Sequence, residues 1–200
     1  SVRPGGIFAF GSRVKSRQQY ATLVGSHIFS TKLVSSFRLG YTRPADLTSS
    51  TSVINIPRSL YFVPDAPQFG QLNVPGTVTF GPLFTAPEKN VMNSFQYSGD
   101  VIVQSGKHGL KLGAELHRYR WDVNSNANKS GIWGFNSLDS FLQGGPDGSS
   151  ITLALPGSDN TKAWRQTLLG IYAQDDFRFR PSLSFNLGVR YEVASLIHDR

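Results

Sequence analysis

The sequence predicts an all-β fold: an antiparallel, up-and-down transmembrane β-barrel segment, about six strands of a larger barrel with long outer loops and short periplasmic turns. Three observations lead there. Apolar and polar residues alternate with period two over long stretches, which sets one face of a strand against the other. Tight turns at Ser30-Thr31-Lys32, Gly106-Lys107-His108 and Arg180-Pro181-Ser182 join these stretches in pairs. Between the pairs lie two connections of more than forty residues each.

Composition fits long strands better than a soluble core. Only 16% of the 200 residues are charged, against roughly a quarter in ordinary globular chains. Gly (20) and Phe (14) are abundant, and Ser, Thr and Asn fill the positions between apolar residues. No stretch approaches the ~20 apolar residues of a membrane helix. A membrane strand remains open, because its apolar residues are diluted by half. The absence of cysteine rules out a disulfide framework and a zinc-thiolate site. The first residue is Ser1 and the last strand runs straight to Arg200, so the chain reads as a piece of a longer protein. The net charge of +7 is scattered, with basic clusters only at Arg13-Lys15-Arg17 and His117-Arg118-Arg120. No aromatic-interleaved basic motif accompanies them, so no nucleic-acid partner is expected. Most of this charge reads as solvated loop surface, with a share left for anionic lipid headgroups or acidic ligands.

Taken in order, residues 1–17 are rich in Gly, Ser and Arg around an apolar run, Ile7-Phe8-Ala9-Phe10, and read as the tail of an earlier loop or strand. The first strand pair lies near 19–42. In its second strand Leu33, Phe37, Leu39 and Tyr41 share a face, opposite Ser36, Arg38 and Gly40. In its first, the short turn favours the odd set (Ala21, Leu23, Gly25, His27, Phe29) over Tyr20, Val24 and Ile28. His27 then sits near the turn, where an amphipathic ring is tolerated without a metal. Residues 44–92 form the first outer loop, with seven prolines and a short strand expected at Thr77-Val78-Thr79-Phe80. Loops this long are functional or disordered rather than mere connections.

The second pair lies near 94–121. Phe95, Tyr97, Gly99, Val101 and Val103 face one way, and Leu110, Leu112, Ala114 and Leu116 answer them across the turn. Asp100 lies on the other side with Glu115, His117 and Tyr119. Glu115 and His117 are two possible metal ligands, but a third at useful spacing is missing, so a polar-lining role is expected and no metal site. Residues 122–163 form the second outer loop. Within it Asn136 or Ser137 caps a short helix that Gly144 ends, with Leu138, Phe141 and Leu142 on one side, packed against the barrel mouth rather than binding a ligand.

The last pair lies near 165–196 and carries the cleanest alternation. Pairing Phe179 with Leu183 sets Phe177 opposite Phe185, Ala173 opposite Val189, Ile171 opposite Tyr191 and Leu169 opposite Val193. The other face then pairs Arg178 with Ser184, Asp176 with Asn186, Tyr172 with Arg190 and Gly170 with Glu192. A slip of one residue would destroy both faces together. One residue resists. Asp175 falls on the apolar side by parity, which predicts a local bulge or a rim position; otherwise the face assignment of that strand fails.

Hairpins joined alternately by tight turns and long loops put all turns at one end and all loops at the other, as in outer-membrane barrels. From Leu169 to Phe179 is about 33 Å of strand, and a tilt of ~40° converts that to roughly 25 Å, the height of the apolar band. Aromatic residues on the apolar face gather near the turns (Phe29, Phe177, Phe179, Phe185) and near the loops (Tyr41, Phe95, Tyr97, Tyr191), as two girdles would. An Arg or Lys facing lipid at the midplane costs about 2–4 kcal/mol, and residues 185–193, 110–116 and 95–103 carry none on that face. Six strands leave edges, and an unpaired backbone group in hydrocarbon costs several kcal/mol. The neighbours must come from the rest of the protein.

Tyr172-Ala173-Gln174-Asp175-Asp176-Phe177, followed by Leu183-Ser184-Phe185-Asn186-Leu187-Gly188-Val189-Arg190-Tyr191-Glu192, resembles the barrel hairpin of TonB-dependent outer-membrane transporters. Gly106-Lys107-His108-Gly109-Leu110-Lys111-Leu112-Gly113-Ala114-Glu115, Leu33-Val34-Ser35-Ser36-Phe37-Arg38-Leu39-Gly40-Tyr41 and Ser137-Leu138-Asp139-Ser140-Phe141-Leu142-Gln143-Gly144 resemble its Oar-like branch. The resemblance spans residues 27–193 in the family's order. It implies a barrel of about 22 strands closed by an N-terminal plug and energised through TonB, with plug and TonB contact carried by other parts of the protein. Residues 1–200 are then part of a barrel domain in the bacterial outer membrane, with lipid, the TonB system and an unidentified ligand as partners.

The function expected is ligand capture by the two outer loops and import through a polar lumen, which Arg38, Asp100, Glu115, Arg190 and Glu192 line. The alternative is a surface adhesin or binding module whose barrel merely displays its loops. No nucleophile elbow or paired-carboxylate spacing appears, so catalysis and a bound cofactor are not expected. Protease mapping on intact cells tests the topology: cleavage falls within residues 44–92 or 122–163 and spares the three tight turns. Cleavage at the turns alone would reverse it.

Overall fold

The computed structural model describes residues 2–4, 9–145, 149–155 and 157–200, so Ile7 and Phe8 of the N-terminal apolar run lie outside it. In chain order the elements are β1 (Val2–Pro4), β2 (Phe10–Ser30), β3 (Leu33–Ser52), a 3-10 turn (Arg58–Leu60), β4 (Gln71–Asn73), β5 (Glu88–Ser105) and β6 (His108–Ser125). They continue with β7 (Ile132–Gly134), α1 (Leu138–Leu142), β8 (Ser150–Thr152), β9 (Thr161–Arg180) and β10 (Leu183–Ala194). One sheet takes the order β1-β2-β3-β5-β6-β9-β10, every long strand beside its neighbour in sequence; β4, β7 and β8 form a second, small sheet. The up-and-down topology is therefore the one that the alternation predicts. Among the described residues no helix is long and apolar enough to cross a membrane.

The long strands run beyond the expected bounds. β3 continues to Ser52 through Pro44, β5 begins at Glu88, β6 ends at Ser125 and β9 begins at Thr161. Past the apolar band both faces become polar, so period two disappears from the sequence although the backbone stays extended. Pro44 lacks a donor but its fixed φ suits a strand wherever no N–H is required. The N-terminal stretch likewise joins the sheet: β1 pairs antiparallel with β2, Val2 opposite Arg13.

Two units group the residues. The hairpin unit holds residues 18–44, 92–121 and 163–200. Its turns occupy two residues each, Thr31-Lys32, Gly106-Lys107 and Pro181-Ser182. Gly106 takes φ +61°, a conformation that glycine adopts without steric cost. β9 and β10 keep the predicted register from Ser184/Arg178 to Ala194/Leu168, with Phe185 opposite Phe177, Val189 opposite Ala173 and Tyr191 opposite Ile171. The departure is at the turn. Leu183 pairs with Arg180 rather than Phe179, and the register shifts between Leu183 and Ser184, because the tight turn takes up one residue before pairing settles. In the first pair the Phe37 ring lies against Gly25, which puts the odd-numbered set of β2 on the apolar face. His27 stacks edge-on to Phe29 there, with ring centroids 4.4 Å apart.

Asp175 has no bulge. It stands opposite Leu187 in unbroken register, with Phe177 and Ala173 in place on either side. Its carboxylate is answered instead by His108, whose Nδ1 donates to Asp175 Oδ2 at 2.7 Å. His108 is the first residue of β6 and stacks on Phe177 at 4.6 Å. The acid is thus met at the turn end, where a hydrogen-bonded partner lowers the cost of desolvating it.

The apolar face is uncovered. Leu187 (62%), Val189 (69%), Leu112 (49%) and Val101 (37%) are exposed, and among the described residues no second layer shields them. In water that surface would be a severe liability; in lipid it is the contact surface.

The loop unit holds residues 1–17, 45–91 and 122–162. All five buried hydrophobic residues of the described chain belong to it: Phe10, Ala66, Phe69, Ala86 and Val91. β4 runs parallel to β7, and β8 antiparallel to it. The strand expected at Thr77–Phe80 is not formed. Only Phe80 bridges, to Leu72, since the chain first turns at Val74 to Thr77. α1 is capped as expected, the Ser140 N–H donating to Ser137 Oγ at 3.0 Å, and Gly144 follows at φ +82°. Its Leu138, Phe141 and Leu142 are exposed, and Phe141 meets the Phe135 ring at 5.1 Å. At the start of β9 the Thr161 N–H donates to Asp159 Oδ1 at 2.7 Å, which holds that carboxyl below its ordinary range.

Val189→Arg in the full-length protein is expected to cost about 2–4 kcal/mol of unfolding free energy in lipid vesicles, as for a cation facing hydrocarbon near the midplane. Leu142→Arg, on exposed α1, should change it by no more than about 0.5 kcal/mol. Urea unfolding by tryptophan fluorescence measures both; equal effects would remove the distinction between the faces.

Candidate functional site

On the polar face of the hairpin unit, β6, β9 and β10 bring three of the five predicted lining residues together. Arg190 of β10 forms an ion pair with Glu115 of β6 across β9, and its Nε donates to Glu192 at 2.5 Å. The strand between them makes room through Gly170, where a Cβ would stand 3.1 Å from both Arg190 Nη2 and Glu115 Oε1. Tyr172, two residues on, supports the cluster: Arg190 lies over its ring at 5.6 Å and Lys111 at 5.8 Å. That ring occupies the space above Gly113 of β6. Along β6, Glu115 approaches His117 Nε2 at 3.9 Å, and His117 Nδ1 lies 3.4 Å from the Tyr119 hydroxyl.

A pocket of about 290 Å³ lies beside this network, lined by Glu115, His117, Tyr119, Gly170 and Glu192 among others. Its polar lining is two carboxylates, an imidazole and a phenol, all partly exposed, which suits a hydrated lining. The other two predicted residues stay apart. Asp100 accepts from the Ser36 hydroxyl at 2.9 Å. Among the described residues no hydrogen bond or ion pair joins Arg38 to the other four. Nor does any group of three or more His, Cys, Asp or Glu stand close enough to hold a metal ion.

The loop unit carries a feature that alternation could not reveal. Phe10 meets Phe80 edge-on at 4.9 Å, Phe69 meets Phe80 at 5.8 Å, and Phe62 packs on Phe69 at 4.7 Å and on Trp133 at 5.6 Å. A pocket of about 360 Å³ borders this cluster at Phe10 and Phe69 and is lined also by Tyr61 and by hydroxyl and amide groups, Ser49, Ser50, Asn55 and Gln68 among them. Gln68 is fixed by donating to the Leu83 carbonyl at 2.9 Å. Aromatic surface together with a few hydrogen-bonding groups is the usual make-up of a small-molecule site. The spacing of Phe62, Phe69 and Phe80 was the available signal, but it has neither period, because the residues meet through loop folding.

Arg190→Gln is expected to cost at most about 1 kcal/mol in the same vesicle unfolding measurement, since both ends of its ion pairs are partly exposed. A loss above about 3 kcal/mol would mark the network as a buried structural element.

The family model described as "Outer membrane beta barrel domain" matches residues 2–200. Comparison with curated proteins gave no match, and comparison with solved structures gave none.

Proposed function

We propose that this chain, which belongs to the outer membrane beta barrel domain family and resides in the bacterial outer membrane, is part of a TonB-dependent, Oar-like importer. The loop unit captures a ligand at its aromatic pocket, and the polar face of the hairpins lines the route inward. Supporting the finer assignment are the resemblance of the β9–β10 hairpin to TonB-dependent transporters and that of β3, β6 and the α1 segment to their Oar-like branch. The observation that carries the reading is the pocket itself: the long connections gather Phe10, Tyr61 and Phe69 with hydroxyl and amide groups around it rather than trailing as linkers. Glu115 on β6 and Arg190 and Glu192 on β10, on one face of the sheet with β9 between, offer both signs of charge to a passing hydrated solute. In this reading the chain has no catalytic role and needs no cofactor of its own; its partners are lipid, the TonB system and an imported ligand.

A second reading, display without transport, draws on apolar loop residues left in the open, Leu142 (73%) and Leu155 (77%), which suit adhesion to another surface. Deleting the energy-coupling protein separates the two. Import predicts that ligand accumulation inside the cell is abolished while surface binding persists. Unchanged accumulation, or adhesion as the only phenotype of removing the outer-membrane protein, supports display.

A further inference from the structure

Beyond import, we infer that the outward-facing side of the hairpin unit carries a binding site for the phosphate groups of an outer-leaflet glycolipid. Leu110, Leu112, Ala114 and Leu116 form the apolar face of β6, and the next residues on that face are Arg118 and Arg120. From His108 to Arg118 is about 33 Å of strand, or roughly 25 Å of height at the usual tilt. Arg118 therefore stands at the loop-side edge of the apolar band and Arg120 just past it. On β9 the same face continues from Ile171 and Leu169 through Thr167 to Arg165.

These positions converge. Arg118 Nη1 donates to Thr167 Oγ1 at 2.6 Å, the Arg178 N–H bonds the Lys107 carbonyl, and Trp121 meets Trp164 with ring centroids 4.8 Å apart. One unbroken register satisfies all three contacts and sets Arg120 directly opposite Arg165. His198 then bridges to Arg165 from the other side. A groove of about 590 Å³ results, with Arg118, Arg120, Arg165, His198 and Arg200 as its basic lining and Phe95 and Tyr97 of β5 as its remaining wall. No acidic residue is among these lining groups.

Like charges directly opposite on a sheet repel, and the cluster is concentrated where hydrocarbon gives way to headgroups. Guanidinium groups pair with phosphate through two parallel hydrogen bonds. Arg165 is shaped by the fold rather than free to swing: it is buried (7% exposed) and donates to the Trp164 carbonyl at 2.8 Å. Phe95 and Tyr97 add ring faces at the depth where amphipathic aromatics meet a headgroup. Position, charge and aromatic flank together select an anion that is attached to acyl chains, since Leu112, Leu116 and Leu169 continue below the groove along the same face. A soluble phosphate uses only the upper part.

The test uses the full-length protein in detergent, with native gel mobility before and after heating as the check on folding. Binding of lipid A, of dephosphorylated lipid A and of inorganic phosphate is measured by native mass spectrometry and calorimetry. Lipid A binding is expected to fall about tenfold or more in Arg118→Gln/Arg120→Gln, the loss of charge-assisted contacts, and dephosphorylated lipid A should bind the wild type no better than it binds the variant. Should the double variant fail to fold, Arg200→Gln at the margin of the groove is expected to lose about threefold by the same reasoning. Equal binding of both lipids, or unchanged binding in folded variants, overturns the proposal. Inorganic phosphate displacing lipid A at equal concentration overturns the lipid as source and leaves a free-anion site.

Discussion

Inside a bilayer, every backbone N–H and C=O must find its partner within protein, and that requirement governs this chain. Its long strands answer by pairing each with its neighbour in sequence, in the order β2-β3-β5-β6-β9-β10. Each backbone pair then comes with a fixed choice of faces, because side chains alternate. One face must be apolar wherever hydrocarbon touches it, and exposed Leu112, Leu187 and Val189 meet that demand. The opposite face is released from it. Arg190, Glu115 and Glu192 can therefore sit together on a sheet that lacks a protein core in the usual sense.

The same constraint separates two kinds of packing. In the hairpin unit stability comes from ladder hydrogen bonds and from lipid, and even Tyr191 and Val193 remain open. In the loop unit water returns, and the chain reverts to the ordinary device of burying rings: Phe10 and Phe69 are 4% and 8% exposed, with Phe80 and Trp133 joined to the cluster. Surface chemistry follows the same division. Charge pairs line the polar face of the strands, and rings with hydroxyls gather in the loops.

Legibility in the sequence follows the same division. Where one face meets lipid, the pattern is strict, and the β9–β10 register could be read residue by residue from Ser184 onward. Where both faces meet water, alternation ceases to be required, so the extensions of β3 to Ser52 and of β9 back to Thr161 left no mark. Asp175 was visible as an anomaly, but its remedy was not; His108 lies 67 positions away in the chain and becomes its neighbour only through β6–β9 pairing. The grouping of Glu115, Arg190 and Glu192 followed from parity plus strand order, whereas Arg38 and Asp100 shared the parity and not the neighbourhood. The aromatic cluster beside the pocket was hidden for a different reason: Phe62, Phe69 and Trp133 are brought together by irregular loops, for which sequence offers composition and no period.

The direct measure of lipid contact is depth-dependent quenching at single cysteines, which the cysteine-free sequence of this chain allows to be introduced one at a time. Fluorophores placed at Val101, Leu112, Leu187 and Val189, and separately at Asp100, Lys111, Gly188 and Arg190, would be compared in vesicles containing brominated acyl chains and in the presence of aqueous iodide. The account predicts strong bromine quenching at the first four and strong iodide quenching at the second four. Equal quenching of both sets by iodide would contradict it, since it would mean that neither face of the strands meets hydrocarbon.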